Sequence, residues 1–285
     1  MPKRVALATS EDYRLLSDDD RALIAPLAAH GISAQPAIWT DPGFSWNACD
    51  AVIVRSCWDY HLKPAKFLDW VASLAQAGVP LWNPPEMLRW NTNKIYLRDL
   101  EARGVKVIPT LWPEEPVNLR EELAKARWER AVLKPRISAT AHRTALITND
   151  NAEQAHELLH ELQRGPGAMI QKFVDDILER GEWSLIFFAG EFSHAVIKTP
   201  KAGDFRVQHD FGGSVTHAQP SPALIDAAAH AVIAVSPRPL YARVDGVESD
   251  GVLLLMELEL IEPGLFLTST PRAAARFADA ILKTL

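Results

Sequence analysis

Short apolar segments alternate with helical patterns over the first 90 residues, and this alternation constrains the fold more than any other feature. Val5 begins a buried run, and a later helical pattern begins at Pro64 and stops at Gly78. The alternation predicts strands at 5–9, 34–39, 51–55 and 79–82 and helices at 18–30 and 64–77. Such an order indicates an α/β fold with an open, mostly parallel sheet. No Gly-x-Gly-x-x-Gly follows the first strand, which argues against a standard dinucleotide-binding domain.

The pattern changes after Asn91. Gly190 separates two apolar runs and predicts a β-hairpin. The sequence predicts helices at 92–103, 119–128, 153–162 and 271–282, and strands at 105–109, 131–134, 145–148, 168–174, 183–189, 192–198, 242–247 and 252–261. We therefore expect an N-terminal α/β domain at 1–91, a central lobe at 92–167 and a C-terminal lobe at 168–285.

Composition excludes several classes of protein. Thirty basic and 36 acidic residues give a net charge of −6, so no basic surface invites nucleic acid. The two cysteines suit a reducing compartment. The N-terminal apolar run is too short for a signal peptide, and no stretch approaches the roughly 18 apolar residues of a membrane span. We expect a cytoplasmic monomer or homodimer with no membrane or nucleic-acid partner.

Three carboxylates on two neighbouring strands form the most informative motif. Asp245 ends one apolar strand, and Glu257 and Glu259 point to one face of the next. Such carboxylates repel one another unless a cation lies between them, and hard oxygen ligands suit Mg²⁺. The alternative is a solvated acidic face, but the adjoining Leu-Leu-Leu-Met run at 253–256 belongs in an interior. A magnesium site is the prediction.

Two lysines precede this motif. Lys94 lies just inside a predicted helix start, and Lys134 ends an apolar strand. The loop after Lys134 contains Ser138 and Thr140, whose hydroxyl and backbone N–H groups can surround phosphate oxygens. The loop lacks the P-loop pattern, and an ordinary surface lysine is the alternative at both positions.

A nucleotide base and sugar have candidate partners farther along the chain. The segment Gln171-Lys172-Phe173-Val174 can offer its backbone and one amide to an adenine edge, and Glu182 can bind ribose hydroxyls. Plain strand surface is the alternative for each.

These motifs, taken in order, resemble the ATP-grasp superfamily. The ordered set is Asn-Lys, Leu-Lys-Pro with its small-residue loop, Gln-Lys-Phe-Val, Gly-Glu-x-Ser, Arg-x-Asp and Glu-x-Glu. The resemblance is closest to the glutathione-synthetase-like branch. The phrases at 55–60, 204–208 and 257–263 look like those of the O-ureido-serine cyclo-ligases of cycloserine biosynthesis.

The resemblance implies an ATP-grasp fold behind an N-terminal pre-ATP-grasp domain, with ATP and Mg²⁺ as cofactors. It implies roles for four groups of residues: phosphate binding by Lys94 and Lys134, adenine and ribose binding by 171–174 and Glu182, action at the transferred phosphate by Arg206 and Arg243, and metal binding by Asp245, Glu257 and Glu259. Many family members carry Asn where Glu259 stands. The implied reaction makes a C–N bond through an acyl phosphate, within one molecule or between two.

The segment after the third strand is the expected substrate site. Arg55 suits a substrate carboxylate and Asp59 an ammonium group, with Ser56 and Tyr60 beside them. They suggest a small amino-acid-like substrate, although Arg55 can equally be a structural ion-pair partner. Two alternatives to a ligase stay open: an inactive ATP-binding regulatory module, and a carbohydrate or nucleotide transferase, which the lack of a second glycine-rich loop disfavours.

Overall fold

The chain begins with a parallel sheet, as its alternating pattern predicts. The computed structural model describes residues 2–201, 203, 206, 207 and 212–285. Its first elements are β1 (Lys3–Thr9), α1 (Asp18–Arg21), α2 (Ile24–Ala29), β2 (Ile32–Ile38), β3 (Ala51–Val54), α3 (Pro64–Gln76), β4 (Leu81–Trp82) and α4 (Pro85–Asn91). The strands lie in the order β2-β1-β3-β4, all parallel. The segments after β1 and β3 therefore meet at one edge, where the Ser10 N–H donates to the Ser56 carbonyl over 3.1 Å.

Prolines account for two differences from the predicted elements. The single helix expected at 18–30 is divided into α1 and α2, because Pro26 has no N–H to bond to the carbonyl four residues earlier. Pro85 begins α4, a helix that the sequence did not predict, because a proline in the first helical turn is well tolerated.

The middle of the chain forms an antiparallel sheet with its own core. Its elements are α5 (Tyr96–Ala102), β5 (Thr110–Leu111), α6 (Leu119–Ala126), β6 (Arg130–Pro135), β7 (Ala145–Thr148), α7 (Ala155–Gln163) and β8 (Ala168–Lys172). The order is β5-β8-β6-β7. β8 lies in the interior of this sheet, so Ala168–Lys172 pairs with the strands of the expected central lobe.

The last third of the chain builds a second antiparallel sheet. Its elements are α8 (Asp176–Arg180), β9 (Glu182–Phe188), β10 (Glu191–Thr199), β11 (Ser214–Ala218), α9 (Pro222–Ile233), β12 (Tyr241–Ser249), β13 (Val252–Glu259) and α10 (Ala273–Leu282). The order is β11-β10-β9-β12-β13. The predicted hairpin at Gly190 is confirmed: Ala189 and Gly190 both have positive φ, as a two-residue turn between twisted strands requires.

The first and third sheets share a hydrophobic core, to which α10 contributes Phe277. Val5 and Leu7 of β1 pack in one cluster with Ile186 and Phe188 of β9. The middle sheet has a separate cluster built from residues 119–170. In the part of the chain that the structure describes, no helix is both long enough and apolar enough to span a bilayer.

Candidate functional site

A cavity of about 800 Å³ collects residues from the middle and third sheets and from the segments that follow the strands of the first sheet. Its lining includes most of the predicted site residues: Asp59, Tyr60, Lys94, Lys134, Ser138, Thr140, Gln171, Lys172, Phe173, Val174, Glu182, Arg206, Arg243, Asp245, Glu257 and Glu259. Arg55 and Ser56 are absent from this lining.

The carboxylates of β12 and β13 face the cavity because of a β-bulge. Asp245 lies opposite Glu257, whereas the next residue, Gly246, lies opposite Leu255, so Met256 is the extra residue of β13. Glu257 and Glu259 therefore share the cavity face, as expected. Met256, the extra residue, also lines the cavity.

Cationic side chains bind each of these carboxylates in the structure. The Arg243 guanidinium donates to Asp245 Oδ2 over 2.9 Å and to Glu259 Oε1 over 2.6 Å. Lys94 Nζ lies 2.9 Å from Glu257 Oε1. Lys198 Nζ contacts Glu182 and lies 3.4 Å from Asp245 Oδ1. The cavity thus holds alternating positive and negative groups.

The pKa values of two of these carboxyl groups are shifted in opposite directions. Burial opposes the charge of Asp245, but Arg243, Lys198 and the hydrogen bond from Ser184 outweigh it and lower its pKa to about 2. Burial raises the pKa of Glu259 to about 7; Arg243 opposes this, and Asp245 and Glu257 add repulsion. The two strands therefore hold Asp245, a carboxylate that stays ionised, beside Glu259, a carboxylate that takes up a proton near neutral pH.

The predicted phosphate-binding residues come from the part of the chain between α4 and β7 and also line the cavity. Lys134 Nζ donates to Gln171 Oε1 over 2.9 Å, and burial lowers the Lys134 pKa. Lys94 Nζ donates to the Ser138 carbonyl over 2.6 Å. Thr140 of the adjoining loop has φ +51°, a conformation that non-glycine residues adopt mainly at constrained sites.

An apolar slot adjoins these groups. Phe173 and Val207 belong to one hydrophobic cluster with Ile108, and Met256 packs against it. Gln171 on β8 donates from Nε2 to the Thr110 hydroxyl over 3.3 Å, which fixes its amide beside the slot. A flat aromatic base fits such a surface.

The structure corrects the assignment of Arg55 and Ser56 to the substrate. Arg55 is 0% exposed, and its Nε and Nη2 donate to Asp20 Oδ1 over 2.9 and 2.8 Å. The Ser56 hydroxyl donates to Asp20 Oδ2 over 2.6 Å. Arg55 is thus the structural ion-pair partner that the sequence left as an alternative. Asp59 does line the cavity, but it accepts hydrogen bonds from Trp39 and Lys63.

Sequence reasoning missed several cavity residues, among them Lys198 and Glu262. Lys198 ends the apolar strand β10 just as Lys134 ends β6, so the same pattern would have identified it. Glu262 follows β13 and was noted only as part of a longer phrase. In the 204–208 phrase, Arg206 lines the cavity, whereas Asp204, Phe205 and Gln208 lie outside the described residues.

The donor set suits a magnesium ion that also binds phosphate. Among the described residues, no group of three or more His, Cys, Asp or Glu side chains is placed to hold a metal ion by itself. Mg²⁺ usually takes one or two protein carboxylates and completes its shell with water and substrate phosphates. Glu257 and Glu259 on one strand face supply such a pair.

Comparison with known proteins identifies relatives over the whole chain. The family model for the N-terminal domain of D-cycloserine synthetase DcsG matches residues 5–83. The cycloserine biosynthesis protein DcsG of Streptomyces lavendulae is 30% identical over 300 residues, which cover 99% of this chain and 98% of that protein.

Solved structures agree with this relationship. The crystal structure of D-cycloserine synthetase DcsG has a TM-score of 0.90 and 29% identity, with 99% of both chains covered. The ATP-grasp ligase PsnB, complexed with a phosphomimetic variant of its minimal precursor, Mg and ADP, has a TM-score of 0.68 and 15% identity, with 99% of both chains covered. The predicted fold and family are confirmed. The chain belongs to the DcsG family of ATP-dependent ligases and has the ATP-grasp fold.

Proposed function

We propose that this ligase uses ATP and Mg²⁺ to activate the carboxylate of a small amino-acid-like substrate as an acyl phosphate, which an amine then attacks. The observation that carries the proposal is the position of Arg243, which binds Asp245 and Glu259 at once in the cavity wall. A cation between two carboxylates, with Lys94 and Lys198 beside them, suits a site where phosphate charge must be neutralised.

ATP occupies the cavity from the middle sheet to the third sheet in this proposal. The adenine lies in the apolar slot against Phe173 and Val174, with Gln171 beside it, and Glu182 binds the ribose. Lys94 and Lys134 hold phosphate oxygens, since both ammonium groups are buried and face the cavity. The Ser138–Thr140 loop covers the phosphates from the middle sheet.

The metal ligands of the proposal are Glu257 and Glu259, and Asp245, which the sequence also implied, lies beside them on β12. When bound, Mg²⁺ supplies positive charge that neutralises the phosphate oxygens during transfer. Arg243 and Arg206, which also line the cavity, contribute fixed positive charge. The residues therefore act by positioning and by charge.

The chemistry then proceeds in two displacements. A substrate carboxylate oxygen attacks the γ-phosphorus, and the bond to the ADP oxygen breaks. An amine nitrogen next attacks the acyl carbon, the bond to phosphate breaks, and the nitrogen loses one proton. A relative named D-cycloserine synthetase supports an amine in the same molecule as the carboxylate, and hence a ring product.

Substrate-stimulated ADP release tests this proposal. The purified protein is assayed with ATP and Mg²⁺ against D- and L-serine, D- and L-alanine and both enantiomers of O-ureido-serine. We expect at least one to stimulate ADP release, and Glu257→Gln to abolish the stimulation without unfolding the chain. Glu191→Gln, which removes a charge from an exposed position of β10, serves as the control. Nucleotide binding without stimulated turnover would indicate a regulatory module instead.

A further inference from the structure

Glu262 is a buried carboxylate that the proposed ATP chemistry does not use. It is only 6% exposed, and its side chain lines the cavity. Its backbone is fixed, because Trp58 Nε1 donates to the Glu262 carbonyl over 2.9 Å and Arg55 Nη2 to the Pro263 carbonyl over 2.6 Å. The carboxylate is therefore held at the junction of the first domain and β13.

No ion pair within the described chain compensates this carboxylate. Lys94 and Arg243 lie near enough to favour its charge, but both bind other carboxylates. Burial, with added repulsion from Glu259, raises the Glu262 pKa well above its ordinary value. A buried charge without a partner is costly, and a cationic ligand group would remove that cost.

The first domain gives this end of the cavity a negative character. Residues 2–91 contribute Asp12, Asp19 and Asp59 to the lining, together with hydroxyls and aromatic rings, but no lysine or arginine. Arg55, the cation that would have changed this balance, is bound to Asp20 outside the cavity. The cationic lining residues come from the segments after residue 91.

We propose that Glu262 binds the free α-ammonium group of the substrate, so that the ligase selects α-amino acids over acids without an amine. This inference rests on the proposed function. Glu262 lies three residues after Glu259, a partner of Arg243. An α-amino acid whose carboxylate points toward Arg243 carries its ammonium one carbon away, on the side of Glu262. The aspartates that the first domain adds to the lining disfavour a second substrate carboxylate, and an N-acylated amine would leave Glu262 unpaired.

Paired substrates that differ only at the amine test the inference. Serine, alanine and O-ureido-serine are each compared with the 2-hydroxy acid of the same skeleton, in the ADP-release assay. We expect the wild type to prefer the amino acid in kcat/KM by about tenfold or more, since a charge-assisted hydrogen bond is lost in the analogue. Glu262→Gln should remove this preference by slowing the amino-acid reaction. Glu262→Asp, which keeps the charge, should retain part of it.

The matched control is Glu86→Gln, which removes one negative charge from an exposed position of α4. ADP affinity, measured by calorimetry with Mg²⁺, should be the same in Glu262→Gln and the wild type. An unchanged preference in Glu262→Gln would overturn the inference. A parallel loss of ADP affinity would also overturn it, because Glu262 would then belong to the nucleotide site. If no amino acid stimulates the wild type, the proposed function itself fails.

Discussion

Lys134 differs from the other buried lysines of the cavity in its partners. Lys94 and Lys198 each form an ion pair with a glutamate, whereas the only hydrogen bond of the Lys134 ammonium in the described chain goes to the neutral amide of Gln171. Burial accordingly lowers the Lys134 pKa. In the free protein its charge is a cost, which an incoming phosphate would offset.

Replacing Lys134 with Met should therefore weaken nucleotide binding without lowering the stability of the fold. We expect Lys134→Met to weaken ADP–Mg²⁺ binding by about tenfold or more, since a charged hydrogen bond contributes about 1.5–3 kcal/mol. The melting temperature should stay the same or rise. Lys94→Met, the comparison, should lower both the nucleotide affinity and the melting temperature, because it leaves the half-buried Glu257 without its ion-pair partner. Unchanged nucleotide affinity in Lys134→Met would make it an ordinary structural lysine.

Residue types at strand ends could be predicted from the sequence, but their partners could not. Lys134, Asp245 and Glu257 all line the cavity as their positions after or within apolar strands indicated. Arg55 also follows an apolar strand, but it does not line the cavity. Its partner, Asp20, lies 35 residues earlier on α1, and nothing local in the sequence records that contact.

At the scale of elements, β13 shows how one extra residue changes which side chains share a face of the strand. A strict period of two places Glu257 and Glu259 together and Met256 opposite. The bulge at Met256 keeps the glutamates toward the cavity and lets Leu253 and Leu255 face the core on the other side of the break. Hydrophobic periodicity cannot reveal such a bulge, because Met is acceptable on either face.

Gly246 makes this bulge possible, and a substitution at this position tests its role. A Cβ at Gly246 would lie 2.6 Å from the Leu254 carbonyl oxygen and 3.0 Å from Leu253 Cδ1. Gly246→Ala must push β13 away and displace Asp245 from Glu257, so we expect a loss of about 1–3 kcal/mol in unfolding free energy and a lower kcat. Urea unfolding and the ADP-release assay measure both.

The control is Gly165→Ala, whose Cβ would meet its nearest atom at 3.7 Å, an ordinary contact. Equal behaviour of the two variants would contradict the role assigned to the bulge.

Helix α9 shows what a periodicity search overlooks. Pro222–Ile233 has five alanines among its 12 residues and lies partly in the core, so it lacks the contrast between apolar and polar faces that identified α3. A local signal was present: the Ser221 hydroxyl accepts from Leu224 N–H, and Pro222 is the first helical residue. Capping residues would have predicted this helix where periodicity did not.

At the scale of the molecule, hydrophobic packing groups the sheets in a way that the linear domain order conceals. The sequence predicted three successive units, yet the first and third sheets pack together through Phe277 of α10. The Tyr241 hydroxyl strengthens this junction, since it lies 3.0 Å from the Val54 carbonyl and 2.9 Å from the Ile261 carbonyl. A sequence pattern gives elements and their order, but contacts between distant segments depend on side-chain packing across the whole fold.

This grouping predicts how the molecule opens, and hydrogen exchange can measure it. The middle sheet has its own core, so we expect β6 and β7 to exchange their amides through a local opening that ADP–Mg²⁺ suppresses. Phe277→Ala, which removes a central ring of the shared core, should speed exchange in β1 and β9 together, at a cost of about 3–5 kcal/mol. Leu159→Ala, its counterpart in the middle-sheet core, should speed exchange only in that sheet. Faster exchange in β1 with unchanged exchange in β9 would contradict this expectation. The first domain would then open independently of the third sheet.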